Sequence, residues 1–289
     1  MPLTAEKPSQ ELVDIVGALG GTWHGYVAMC SCPAHNDSEP SLSLRQGNSD
    51  ILVNCFAGCD RQDILRELRR IRVTRHYPRP APSHPASAGN AQRIWDQAHE
   101  IHGTLAERYL ATRHLLPAPP DARFHPRCPY LPKPRTQFLP ALLVAVRASH
   151  KLVAIQRIFL DPETAYYTRK VMLGRPLNGA WRGGEGGTSL AIAEGFEDAR
   201  AFSLLHNMPC WASLGAGRLS HLIIPDAITR LVIAEDNDVE GRAAATDAEA
   251  HYARPGLTIE RAPPPRPFKD WAKVLYARAN QISGIAATG

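Results

Sequence analysis

Leu231-Val-Ile-Ala-Glu-Asp236-Asn-Asp238-Val-Glu-Gly241 is an apolar run that ends in carboxylates and a glycine, and Ser189-Leu-Ala-Ile-Ala-Glu194-Gly195 has the same plan earlier in the chain. Short apolar runs of this kind suit buried parallel strands, which deliver ligands to the carboxyl edge of a sheet. Two such strands place Glu194, Asp236 and Asp238 side by side. Asp236 and Asp238 are two apart and point to one side, while Asn237 between them points away. Three carboxylates gathered in a cleft repel one another unless a hard divalent cation sits between them, so Mg²⁺ or Mn²⁺ is the expected occupant. Such a cation commonly holds and neutralises phosphate during phosphoryl transfer or hydrolysis.

The 289 residues allow one large domain or two to three small ones, and 44% hydrophobic content is that of an ordinary globular protein. A formal charge of +5 is compatible with a polyanionic partner without requiring one. No segment approaches the roughly 18 to 20 apolar residues of a membrane span, and the first residues lack a basic start followed by an apolar core. A cytoplasmic protein with no membrane partner is expected.

Helix-strand alternation after Ser189 implies a mostly parallel sheet with helices on both faces. The fold class expected is α/β: a small N-terminal zinc-ribbon domain, a linker, then an α+β core ending in the parallel-sheet domain. Residues 1–75 hold the cysteine region, and 76–91, rich in Pro, Ser and Ala, read as an extended linker. The core then divides into 92–187 and 188–280, followed by a tail at 281–289. Ala91 to Arg113 reads as helical, and Pro117 to Pro140 as a proline-rich stretch leading into strands.

Four of the six cysteines, Cys30, Cys32, Cys55 and Cys59, lie close together in sequence, with His35 beside them. In a reducing compartment this clustering reads as metal binding rather than disulfide chemistry. Zinc takes four such ligands in a tetrahedron, and ligand pairs on two tight turns supply them without a large core. Five candidates compete for four places; Cys32, His35, Cys55 and Cys59 are favoured, with Cys30 a flanking thiol or alternative ligand.

The run Cys32-Pro-Ala-His35-Asn-Asp-Ser-Glu-Pro-Ser-Leu-Ser-Leu44, followed by Val53-Asn-Cys-Phe-Ala-Gly-Cys-Asp60, resembles the CHC2-type zinc-binding domain of bacterial and phage DNA primases. The three residues between Cys55 and Cys59, where many members have two, resemble mobile-element and phage versions. Glu194-Gly195 and Asp236-Asn-Asp238 are similar to the two acidic motifs of the Toprim domain, shared by primases, topoisomerases and some nucleases. Gly241 resembles the start of the helix that packs closely behind the second motif. Lys269-Asp270-Trp271 resembles a later motif, with Ala272 where Asn is usual. Asp270 then either adds to the acidic patch or caps the last helix.

The resemblance implies that Glu194 binds metal or helps deprotonate an attacking 3′-hydroxyl, and that Asp236 and Asp238 carry the ions bridging nucleotide phosphates. Glu197, Asp198, Glu235 and Glu240 read as helix-start or rim charges. Arg157 and Lys170, on strand-like segments, are the basic residues expected to contact nucleotide or template, against the plainer reading of surface ion pairs. The function implied is that of a stand-alone DNA primase, a nucleotidyltransferase making short RNA primers on single-stranded DNA from nucleoside triphosphates. A separate helicase or replication initiator is its expected partner. A Toprim metal-dependent nuclease and a non-catalytic single-stranded nucleic-acid-binding accessory protein are the alternatives.

Overall fold

A computed structural model describes residues 7–24, 26–37, 40–47, 50–80, 86–131, 136–185 and 187–286. The chain forms two compact units, which meet in sequence between Ala86 and Ser87.

The smaller unit contains α1 (Gln10–Ala18), β1 (Thr22–His24), β2 (Val27–Cys30), β3 (Leu42–Gln46), β4 (Ile51–Cys55) and α2 (Arg61–Leu68). Ser9 caps α1 by accepting from the Leu12 N–H, and Asp60 caps α2 by accepting from the Gln62 N–H. The four strands form an antiparallel meander in sequence order. Leu12, Val16, Ala28, Leu42, Leu44 and Ile64 fill a small core between sheet and helices. The segment expected to be an extended linker is structured at both ends. Buried Asp14 accepts from the Tyr77 N–H (2.8 Å) and contacts His76 Nδ1 (2.6 Å), so residues 76 and 77 pack on α1. At the other end a helix begins at Ala86 and continues into the amphipathic run that follows Asn90.

The larger unit starts with α3 (Ala86–Asp96) and α4 (Leu105–Thr112), two helices where one was expected. Between them His99 exchanges backbone hydrogen bonds with Phe124, Gly103 adopts φ +72°, and Thr104 starts α4 by accepting from the Ala106 N–H. A four-stranded antiparallel sheet follows: β5 (Ala122–Tyr130), β6 (Gln137–Ala148), β7 (Lys151–Leu160) and β8 (Tyr167–Gly174), in that order across the sheet. β5 lies inside the stretch read as proline-rich. It is an edge strand with a register shift between His125 and Cys128, which accommodates Pro126.

The chain continues through β9 (Trp181–Arg182), β10 (Ser189–Ala193), α5 (Phe196–His206), β11 (Cys210–Ala212), β12 (Arg230–Ala234), α6 (Val239–Tyr252), β13 (Thr258–Ala262) and α7 (Trp271–Ala286). These strands form a second sheet ordered β13-β12-β10-β11-β9, parallel except where β11 meets β9. Alternate residues of β10 and β12 face opposite layers. Leu190, Ile192, Leu231 and Ile233 pack with Ala245, Ala248 and Tyr252 of α6. Ala191, Ala193, Val232 and Ala234 pack with Phe196 and Phe202 of α5 and Trp271 of α7. That second cluster continues into Leu142, Val144, Ile158 and Leu160 of the antiparallel sheet, while α3 covers the opposite face of that sheet through Ile94 and Trp95. No described helix is long and apolar enough to cross a membrane.

Candidate active site and metal centres

Register decides where the carboxylates lie. Ala193 of β10 pairs with Ala234 of β12, so Glu194 and Glu235 leave the sheet at the same level and Asp236 follows at the carboxyl edge. Glu235 faces inward, is buried, and pairs with Arg261 of β13, which removes it from the acidic group. Asp238 is the N-cap of α6 and accepts from the Gly241 N–H at 2.7 Å. At Gly241 a methyl group would lie 2.7 Å from the Asp236 carbonyl oxygen and 2.8 Å from its Cβ. The helix therefore approaches the acidic turn as closely as only glycine permits.

Asn237 points the other way. Its side-chain amide donates to the carbonyls of Pro264 (2.7 Å) and Phe268 (2.9 Å), and its backbone N–H to Lys269 O (2.7 Å). This fastens residues 264–269 beside the acidic turn, where Lys269 Nζ lies 3.0 Å from Asp238 Oδ2. Asp270 does both things open to it: its Oδ1 accepts from the Lys273 N–H at the start of α7, and its charge acts on Asp236 and Asp198.

The charges of these groups act on one another. Burial, and after it the charges of Glu194, Asp270 and Asp238, push Asp236 up to about 6. Burial, then Asp236 and Asp270, push Asp198 up to about 7. Asp198, expected as a helix-start or rim charge, does lie in the first turn of α5; its Oδ1 accepts from the Ala272 N–H at 3.0 Å, and its carboxyl also belongs to the acidic group. Its signal was its place in the first turn of a helix that starts directly after Glu194-Gly195. Asp238, by contrast, is held low by the Gly241 N–H and Lys269.

A divalent cation fits this set. Asp236 Oδ1 is buried without a hydrogen-bond partner, and its neighbours are carboxylates whose mutual repulsion a cation relieves. Glu194, Asp236 and Asp238, with Asp198 and Asp270 beside them, supply the hard oxygen donors that Mg²⁺ or Mn²⁺ prefers.

The expected basic residues sit differently. Arg157 is buried, donates to Pro129 O at 2.6 Å and stacks 5.5 Å from the centre of the Phe159 ring. These are the surroundings of a packing arginine inside the sheet face, not of a surface cation awaiting phosphate. Lys170 Nζ pairs with Glu197 at 2.7 Å. Glu197, expected as a helix-start or rim charge, lies in the first turn of α5 but is buried and also accepts from the Tyr109 hydroxyl. Burial opposes its ionisation, but Lys170 and Tyr109 outweigh it and hold the carboxyl below the usual range.

In the smaller unit the ligand atoms of Cys32, His35, Cys55 and Cys59 all lie within 4.8 Å of one another. His35 Nδ1 is 3.2 Å from Cys59 Sγ and 4.0 Å from Cys55 Sγ. A tetrahedral zinc with ordinary Zn–S and Zn–N bonds separates its ligands by about 3.5–3.8 Å, so the set fits that ion. Burial opposes ionisation of Cys55, yet the N–H groups of Cys59 and Ala57 bring its thiol down to about 7, whereas burial pushes Cys32 up to about 12 and raises Cys59. Cys30 stands outside this group of ligand atoms, with its thiol buried against Leu42 O.

Residues 189–281 match the Toprim domain family, and residues 85–183 match a domain of unknown function, DUF7146. No curated protein matches the chain in sequence. Among solved structures, the DnaG catalytic core superposes with a TM-score of 0.50 at 16% identity, covering 67% of this chain and 76% of that one. A DNA primase domain from Pseudomonas aeruginosa gives 0.47 at 13% identity, covering 66% and 74%. The Aquifex aeolicus primase, with its zinc-binding and RNA polymerase domains, gives 0.46 at 13% identity, covering 95% and 85%. Residues 189–281 are thus a Toprim domain, and the likeness to the DnaG catalytic core shows a primase-core fold.

Proposed function

We propose that this protein is a DNA primase that joins nucleoside triphosphates into short RNA primers on single-stranded DNA, releasing pyrophosphate. The observation that carries the reading is the carboxylate group at the edge of the Toprim sheet, with Asp236 Oδ1 buried and unpartnered at its centre. Glu194, Asp236 and Asp238 hold Mg²⁺ or Mn²⁺. When bound, the cation neutralises phosphate oxygens and stabilises the charge that develops on the leaving pyrophosphate. The chain's own residues set up that chemistry. The Asn237 bonds and the close Gly241 approach fix the acidic turn, and Lys269 shields one oxygen of Asp238. Glu194 would take a proton from the attacking 3′-hydroxyl or complete the cation's oxygen shell.

Cys32, His35, Cys55 and Cys59 hold a structural zinc, and the unit that carries it contacts the template. Lys170, with its side chain about a third exposed, is the basic residue retained for nucleotide contact; Arg157 is assigned to packing. The protein acts in the cytoplasm beside a separate helicase or replication initiator. The domain limits proposed are 1–75 for the zinc domain, 76–91 for the connection, 92–187 and 188–280 for the two parts of the core, and 281–289 for the tail.

The test is de novo synthesis on single-stranded DNA with labelled nucleoside triphosphates and Mg²⁺ or Mn²⁺, comparing wild type with Asp236→Ala/Asp238→Ala. Short template-dependent products that vanish in the double variant are expected. Degraded template without synthesis makes the protein a nuclease, and binding without either reaction makes it an accessory protein.

A further inference from the structure

We propose that Asp37 is a positioning residue of the zinc site: it fixes His35 so that Nδ1 faces the metal, ties the Cys32 and Cys55 turns together, and thereby sets how firmly the ion is held. The inference rests on the zinc reading above and extends it to a residue that is not a ligand.

The two oxygens of this nearly buried carboxylate have separate tasks. Oδ2 accepts from the backbone N–H of Cys32 (2.7 Å), the backbone N–H of Ser41 (3.1 Å) and the Ser41 hydroxyl (2.5 Å). Oδ1 faces His35 Nε2 at 3.4 Å, with the Asp37 side chain 5% exposed and that of His35 28%. The Ser41 hydroxyl in turn lies 3.7 Å from Cys55 Sγ. One side chain therefore touches the turn of the first cysteine and the ring of the histidine, and reaches the third ligand through Ser41.

The imidazole geometry gives this arrangement chemical content. His35 turns Nδ1 into the sulfur cluster and Nε2 toward Asp37. A neutral imidazole carries its proton on one nitrogen only, and the nitrogen that binds a metal must be the other. With a carboxylate at Nε2, the proton belongs there and the Nδ1 lone pair is left for zinc. The same contact limits the rotation of the ring.

Asp37→Asn separates this role from simple support of the turn. With three donors on Oδ2, the amide oxygen stays there and the amide nitrogen turns to His35, setting one donor against another. Zinc affinity should fall about 10- to 100-fold, the range typical for loss of an outer-sphere partner, read as transfer from the full-length protein to a chromogenic chelator. Ser41→Ala keeps the Asp37–His35 contact and should leave the histidine tautomer unchanged.

A second readout needs no Asp37 variant. In the zinc-loaded wild type, ¹⁵N-histidine spectra should show one residue with metal on Nδ1 and a proton on Nε2, assigned to His35 by its absence in His35→Cys. Metal on Nε2 of His35, or unchanged zinc transfer from Asp37→Asn, overturns the proposal. A wild type that binds no zinc at all overturns the zinc reading itself, which is a separate result.

Discussion

Asp236 and Asp198 keep their protons to higher pH than isolated carboxyls because each is buried among other carboxylates. Both folded values lie above the unfolded ones. The metal-free protein therefore loses stability as pH rises from the ordinary carboxylate range toward about 7, where the unfolded chain releases protons that the fold retains. A cation removes that penalty when the groups are ionised and competes with protons when they are not. Saturating Mg²⁺ should raise Tm more at pH 8 than at pH 5.5; equal gains in a thermal-shift titration would contradict the site. Gly241 yields a second expectation. Gly241→Ala places a methyl group against the Asp236 backbone, so unfolding in urea should show a loss of about 1–3 kcal/mol, and Mg²⁺ affinity should fall because the acidic turn is displaced.

Three elements of the larger unit meet at Glu197: Tyr109 from α4 donates to it, Lys170 from β8 pairs with it, and it lies itself in the first turn of α5. Removing the lysine leaves a buried carboxylate unpaired. Lys170→Met should cost about 3 kcal/mol, the lower end for a broken buried pair since the lysine is partly solvated, and Lys170→Met/Glu197→Gln should recover much of it in a double-mutant cycle. Because the folded value of Glu197 is depressed, this contribution is present above the ordinary glutamate range and is lost as pH falls through the folded value. Urea midpoints of wild type and Lys170→Met should converge as the solution is acidified. Such a network is hidden in a sequence, because a buried glutamate and a rim glutamate are the same letter; Glu197 and Asp198 both passed for helix-start charges. β10 and β12 were legible because an uninterrupted apolar run ending in acids has few other uses. β5 was not: Pro126 and Pro129 argue against a strand, and only its edge position and register shift admit them. The break between α3 and α4 was missed because the backbone of His99 is claimed by Phe124, distant in sequence. The burial of Arg157 was not legible, because arginine on a strand looks alike whether it faces solvent or Pro129 O.

The whole molecule joins two units with very different reserves of buried surface. The smaller has one modest core around Leu12, Leu42, Leu44 and Ile64, while the larger has three clusters spanning two sheets and their helices. A bound metal contributes folding free energy to a unit with so modest a core. Calorimetry of the zinc-loaded chain should show two transitions, with a strong chelator abolishing the one from the smaller unit and leaving the other in place. A single transition unmoved by chelation would count against structural zinc. In the larger unit, Asn237 has a consequence that concerns time rather than affinity. Its backbone N–H and side-chain amide hold the carbonyls of Lys269, Pro264 and Phe268, so the turn carrying Asp236 and Asp238 and the segment leading to Asp270 cannot separate without breaking the same three bonds. Amide hydrogens of the two stretches should exchange with deuterium at a shared opening rate, as one cooperative unit. Asp236, Asp238 and Asp270 are then presented together or not at all.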